Sequence, residues 1–236
     1  MRPARVAALV PAAGRGTRLA AGSPDAAAVP KAFVPLLGRP LLWHCVQGLL
    51  RAGCVERIVV AVSAEYCDRA RTALIDAAER VWIVTGGAQR ADSVRAALDA
   101  VPDADVVLVH DAARCLTPIS VIQAVAGAVL AGHRAVVPVL PVVDTIKQVD
   151  AGGYVVSTVD RSALWVVQTP QGFSAELLRA AHQARSGPVT DDAGLVERMG
   201  EPVVTVPGHP HAFKITTPFD LTIAAAVAGA RAAGRA

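Results

Sequence analysis

Short apolar runs recur along the chain with more polar segments between them. Val6–Val10, Ile58–Val62, Val81–Val84, Val106–Val109, Ala135–Val139 and Val203–Val206 have the length and continuity of strands buried on both faces. The intervening segments have helical length and punctuation. Leu41–Arg51 opens after Pro40 and stops before Gly53, the proline-in, glycine-out asymmetry of a helix. Glu65–Ala78 and Asp92–Ala100 read as further helices, and Thr117-Pro118 reads as the cap of a helix over Ile119–Ala131 ahead of Gly132. Ser174 suits the cap of a helix through Ala184, Thr190-Asp191-Asp192 the cap of one running to Met199 and Gly200, and Thr217-Pro218 that of the last. Phe213-Lys214-Ile215 reads as a short strand. Alternation of this kind predicts an α/β fold with a doubly wound, mostly parallel, Rossmann-like sheet.

The period changes after Pro141. Asp144–Asp150 and Tyr154–Val159 alternate polar and apolar residues around Ala151-Gly152-Gly153, which is a β-hairpin pattern. A hairpin of this length cannot bury both faces on its own. The expectation is a protruding arm at about residues 141–165 that packs on a partner subunit, making a homodimer. The alternative, a hairpin folded back on its own domain, stays open at this point.

Composition narrows the class. A chain of 236 residues suits a single domain with a sizeable core, here taken as 1–236. No apolar run reaches membrane-spanning length and no apolar signal segment opens the chain, so a cytoplasmic protein without a membrane partner is expected. The formal net charge of +3 is small and its basic residues are dispersed, which argues against a nucleic-acid partner. Cys45, Cys54, Cys67 and Cys115 form no Cys-x-x-Cys pair and have no His at ligand spacing, so no metal-ligand set and no disulfide is predicted.

Candidate chemistry gathers at the ends of elements. After Val6–Val10 comes Pro11-Ala12-Ala13-Gly14-Arg15-Gly16-Thr17-Arg18, whose small residues let backbone N–H groups approach a phosphate or base edge while Arg15 and Arg18 add charge. It is not a Walker loop, since Gly14 and Gly16 are only two apart and no Lys-Ser/Thr follows. It is not the dinucleotide fingerprint either, because Leu19 stands where a third Gly or Ala belongs. Pro30-Lys31 follows a small-residue spacer. Gly86–Ser93 follows the third apolar run and His110–Arg114 the fourth, at carboxyl strand ends that share one edge of a parallel sheet. Each has a plain alternative: Gly86-Gly87 as a turn with Ser93 facing solvent, Asp111 as a turn cap, His110 as a packed strand-end histidine with no assigned role. Lys214 between Phe213 and Ile215 needs a counter-ion, which a bound polyphosphate would supply.

These motifs in this order resemble the 2-C-methyl-D-erythritol 4-phosphate cytidylyltransferases of the non-mevalonate isoprenoid pathway. The resemblance runs from Pro11–Gly14 through Pro30-Lys31, Arg90–Ser93, Val109–Arg114, Asp144–Lys147, Val159–Arg161, Gln168–Gln171 and Thr190–Asp192 to Phe213–Ile215. It implies that Ala12, Ala13, Gly87 and Ser93 hold the cytosine of CTP, with backbone around Pro11, Gly14 and Ala112 lining the ribose. It implies Arg18, Lys31 and Lys214 around the phosphates, as the catalytic set. Asp111, Arg114, Thr145, Arg161 and Lys214 would serve methylerythritol phosphate, with Thr145 and Arg161 reaching the neighbouring subunit's site on the hairpin. Cys115 stands where the family commonly has proline, and Ala88 where it often has an acidic residue, which removes a side-chain contact near the base.

The residue types fit nucleotidyl transfer. The attacking oxygen of a phosphate monoester is already anionic, so no strong general base is required. The site must instead stabilise charge, with Arg, Lys and a Mg²⁺ cofactor held mainly through CTP phosphates and water. Two rivals use a similar nucleotide half: a cytidylyltransferase for ribitol or glycerol phosphate, and a catalytically silent nucleotide-binding subunit. A glycosyltransferase is disfavoured because Asp103-Ala104-Asp105 precedes a strand rather than following one.

Overall fold

The computed structural model describes residues 2–14, 29–185, 187 and 189–234. Its strands are β1 (Val6–Pro11), the two-residue pair β2 (Pro35–Leu36) and β3 (Arg39–Pro40), β4 (Arg57–Val62), β5 (Val81–Thr85), β6 (Val106–Val109), β7 (Ala135–Pro141), β8 (Ile146–Val149), β9 (Val155–Val159), β10 (Trp165–Val167), β11 (Gln171–Ser174) and β12 (Val204–Pro207). Its α-helices are α1 (Leu41–Arg51), α2 (Cys67–Ala73), α3 (Arg90–Asp99), α4 (Ile119–Leu130), α5 (Ala175–Gln183), α6 (Ala193–Arg198) and α7 (Pro218–Ala232). Among the described residues no helix is long and apolar enough to cross a membrane.

The central sheet runs β10-β7-β11-β6-β1-β4-β5, with β12 pairing β7. β1, β4, β5 and β6 are mutually parallel; β11 runs antiparallel to both β6 and β7, and β10 antiparallel to β7. The chain starts in the middle of the sheet, moves out through β4 and β5, then returns with β6 to the other side of β1. That reversal opens a crevice beyond the carboxyl ends of β1 and β6, where doubly wound sheets bind ligands.

Alternation along β1 makes the sheet two-sided. Val6, Ala8 and Val10 join one core with Leu42, Val46 and Leu49 of α1 and Ile122 and Val125 of α4. Ala7 and Leu9 join the other with Val94, Ala97 and Leu98 of α3 and Leu177 and Leu178 of α5. With Leu9 fully buried, truncating it to Ala would cost about 2–5 kcal/mol. The strands therefore form a fixed platform for the loops at their ends.

β10 and β11 fall outside the apolar runs read as strands, and β11 uses Gly172 to let α4 approach closely. Several expectations are corrected. The helix expected over Glu65–Ala78 is broken into a 3₁₀ turn Ala64–Tyr66, α2, and a second turn Ile75–Ala77. Thr117 does not cap α4, since its hydroxyl donates to the Arg114 carbonyl, and within Thr190-Asp191-Asp192 it is Asp191, not Asp192, whose carboxylate accepts from the first turn of α6. Phe213-Lys214-Ile215 is extended loop rather than a paired strand, anchored by Ile215 N–H to the Ala113 carbonyl at 2.9 Å. The caps at Ser174 and Thr217 form as expected, the latter as a capping box with Asp220.

β8 and β9 form their own two-stranded ladder, pairing Ile146 with Val159 and Lys147 with Thr158. Asp150 Oδ1 accepts from the N–H groups of Gly152 and Tyr154, and Gly153 takes the positive φ of +82° that closes the turn. No residue from 142 to 167 belongs to either core.

Candidate active site

The first wall of the crevice is the loop that leaves β1. Ala12 N–H bonds the Ala61 carbonyl at 2.7 Å, which extends the β1–β4 ladder to the loop and leaves Ala12, Ala13 and Gly14 at its rim. Arg18 lies outside the described residues. The chain re-enters at Pro30, after which Lys31–Phe33 forms a 3₁₀ turn fixed by stacking of Phe33 on Tyr66.

The second wall is the β5–α3 loop. Ser93 is buried, not solvent-facing; its Oγ accepts from Gly87 N–H at 3.2 Å and donates to the Gln89 carbonyl at 3.3 Å. A Cβ on Gly87 would stand 2.3 Å from Asp92 Cβ, so only glycine fits this turn. Gln89 and Asp92 form a capping box, which starts α3 at Arg90 and makes Asp92 a third-position residue. Arg90 is thereby brought to the rim with its side chain across the floor.

The floor is the segment after β6. His110 N–H bonds the Leu9 carbonyl, and Asp111 N–H bonds the Thr169 hydroxyl at 3.1 Å, which in turn lies 2.9 Å from His110 Nδ1. Burial holds the His110 imidazole down at about 4, against the opposing pull of the Asp111 charge, so it is neutral at pH 7. The Asp111 carboxylate accepts from Arg90 Nε at 3.3 Å on one oxygen and from Lys214 Nζ at 2.7 Å on the other. Burial alone would push its carboxyl up, but the charges of Arg90 and Lys214 outweigh that and hold it well below the usual carboxylate range. The counter-ion of Lys214 is therefore Asp111, supplied by the protein itself.

These walls enclose a cleft of about 300 Å³. It is lined by Pro11, Ala12, Ala13 and Gly14, by Gly87, Gln89 and Ser93, by Asp111 and Ala112, and by Lys31, Arg90, Lys214 and Thr216. Asp111 is its sole carboxylate among the described residues, and no three His, Cys, Asp or Glu side chains cluster there in a way that would hold a metal. Ten of the residues singled out from sequence thus converge on one cleft.

Three others lie elsewhere. Arg114 does not line the cleft; its guanidinium bonds the carbonyls of Ala212, at 2.8 Å, and Val167, at 3.3 Å, tying the Lys214 loop to β10. Thr145 and Arg161 are exposed together at the open end of the β8–β9 ladder, opposite its turn, and do not line the cleft of their own chain. From sequence Arg90 has no assigned role and Asp192 only that of a cap. In the structure Arg90 donates through a second nitrogen to Asp192 Oδ2 at 2.6 Å. The available signal for Arg90 is its place at the first turn of a helix beside a glycine pair; Asp192 is hidden by its good fit to a cap.

The family model described as 2-C-methyl-D-erythritol 4-phosphate cytidylyltransferase matches residues 6–229. A relative of that name from Nocardia farcinica is 59% identical over 228 residues, covering 97% of this chain and 96% of its own length. Among solved structures, a 4-diphosphocytidyl-2C-methyl-D-erythritol synthase superposes with a TM-score of 0.81 at 30% identity, over 96% of this chain and all of that one. The 2-C-methyl-D-erythritol 4-phosphate cytidylyltransferase from Thermus thermophilus gives 0.74 at 34% identity, over 97% and 100%.

Proposed function

The chain belongs to the 2-C-methyl-D-erythritol 4-phosphate cytidylyltransferase family, and we propose that its cleft divides that reaction's two substrates between its walls. The enzyme joins CTP to 2-C-methyl-D-erythritol 4-phosphate, giving 4-diphosphocytidyl-2-C-methyl-D-erythritol and pyrophosphate. An oxygen of the acceptor phosphate attacks the α-phosphorus of CTP, a new P–O bond forms, and the bond to the α,β-bridging oxygen breaks as pyrophosphate leaves. The cytosine is read by backbone and small side chains at Ala12, Ala13, Gly87 and Ser93, and the ribose lies along Pro11, Gly14 and Ala112. Lys31 and Lys214 face the phosphates, a role the family resemblance gives to Arg18 as well.

The observation that carries this reading is one cleft whose walls pair nearly bare backbone with three fixed cations, Lys31, Arg90 and Lys214, and a single engaged carboxylate. Bare backbone suits a flat base; cations suit two phosphate groups that must approach against their mutual repulsion. The neutral His110 bonds Thr169 and stands outside the lining, which fits chemistry without a general base. Because both Asp111 oxygens already hold cations, the described residues offer no acidic cage, and Mg²⁺ would be held by the triphosphate that Lys31 and Lys214 bind, together with water. When bound, Mg²⁺ supplies neutralisation of charge across the phosphates. Asp111 would orient the acceptor, and Thr145 and Arg161 would complete its site on the partner subunit of a homodimer. Four free thiols suit a reducing, cytoplasmic address.

The test is a coupled pyrophosphate-release assay with methylerythritol phosphate, ribitol phosphate and glycerol phosphate. Only the first should support rapid turnover. Lys31→Ala and Lys214→Ala should each lower kcat by ~10²-fold or more with the fold intact by circular dichroism. Near-normal turnover in either variant overturns the assignment.

A further inference from the structure

Asp192 is only 1% exposed, although it precedes a helix where a carboxylate would ordinarily sit in solvent and cap. The capping has been passed to its neighbours: Asp191 Oδ1 accepts from Gly194 N–H, and Gln171 Oε1 accepts from Ala193 N–H, both at 3.1 Å. Both Asp192 oxygens are turned inward instead. Oδ1 lies 3.1 Å from His182 Nε2 on α5, and Oδ2 accepts from Arg90 at 2.6 Å. A buried carboxylate used only to hold helices together is a poor device, because well-packed apolar side chains do as well without the desolvation cost. What the charge does hold is a guanidinium. Arg90 is planar, and pinning one terminal nitrogen on Asp192 fixes the direction of Nε, which meets Asp111.

The contacts therefore run in one line from His182 through Asp192, Arg90 and Asp111 to Lys214. Asp192 and His182 do not line the cleft, whereas Arg90, Asp111 and Lys214 do. We propose that Asp192, braced by His182, is a positioning residue that aims Arg90 at Asp111 and so fixes the Asp111–Lys214 pair in the cleft. It touches no reacting atom. The inference rests on the cytidylyl-transfer reading only for what the positioned pair then does.

Asp192→Asn keeps the shape and removes the charge. The expected result is a fall of about tenfold or more in kcat/KM for methylerythritol phosphate. The loss should lie in kcat more than in the KM for CTP, since Ala12, Ala13, Gly87 and Ser93, which read the base, stand outside this line of contacts while Lys214, which faces the phosphates, is part of it. Asp192→Asn combined with Arg90→Gln should be no worse than Arg90→Gln alone, because the first acts through the second. Asp191→Asn, which weakens the α6 cap, should lower Tm and leave kcat/KM in place. A second readout needs no turnover: the Arg90 Nε–H signal in ¹⁵N NMR should be exchange-protected in the unaltered protein and in Asp191→Asn, and lost in Asp192→Asn. A protected signal in Asp192→Asn, or additive losses in the double variant, overturns the proposal. Absence of turnover in the unaltered protein would instead count against the cytidylyl-transfer reading, with the NMR signal still deciding the role of Asp192.

Discussion

His110 shows how one residue can link the platform to the cleft. Its backbone continues the β6 ladder while its ring meets the same hydroxyl that receives Asp111 N–H. Because burial lowers its folded pKa to about 4 from 6.5, the unfolded chain binds more protons between those values. Stability should then be complete above pH 6.5 and be lost as pH falls toward 4, by about 2 kcal/mol between pH 7 and pH 5. Urea unfolding at the two pH values checks this, and His110→Gln should remove that share of the slope; an equal slope in both proteins would contradict it. At this scale the sequence was uneven as a guide. Glycines, alanines and lysines at strand ends were legible because such residue types have few other uses there. The partner of Lys214 was not, because ion pairing between residues so far apart in the chain is a property of the assembled sheet, and a polyphosphate accounted for the charge just as well as Asp111.

Among the elements, those announced by an apolar run or a proline and glycine were found where expected. β11 was missed because Gln171-Gly172-Phe173 lacks the signature of a strand, and its role is set by what packs on it. A Cβ on Gly172 would come within 2.6 Å of Val125 Cγ1 and 3.0 Å of Val129 Cγ2, both on α4. Gly172→Ala should therefore destabilise by about 1–3 kcal/mol through overpacking, measured by urea denaturation. A neutral or stabilising result would mean α4 can shift outward freely. Caps failed as a guide where a second demand fell on the same side chain. Asp192 could have capped α6, but the cleft-lining Arg90 required its charge, and Gln171 from β11 took over the Ala193 N–H. Gln171, which also donates to Asp191 Oδ2 at 2.7 Å, thus ties the sheet to the start of α6.

For the whole molecule, the outstanding feature is an arm that its own chain does not use. Val143 and Tyr154 are each 76% exposed and Val156 61%, with Val149, Val155, Trp165 and Val166 also half or more exposed. So many exposed apolar side chains on one arm are characteristic of an interface. Since no residue from 142 to 167 enters either core, replacing residues 144–162 by a short Gly-Ser turn should leave the fold and CTP affinity intact. The ends to be joined are already close, with Val142 N–H bonding the Leu164 carbonyl at 3.3 Å. The proposed homodimer makes two further demands on this variant. It should sediment as a monomer where the full chain sediments as a dimer, and kcat/KM for methylerythritol phosphate should fall by ~10²-fold or more because Thr145 and Arg161 are gone. Calorimetry with CTP separates the two halves of the site: retained nucleotide binding with lost transfer is the expected pair of results. A full chain that is monomeric and active, or an arm-deleted chain with unchanged kcat/KM, would show that each cleft is complete within one chain, and the exposed apolar surface would then need a different partner.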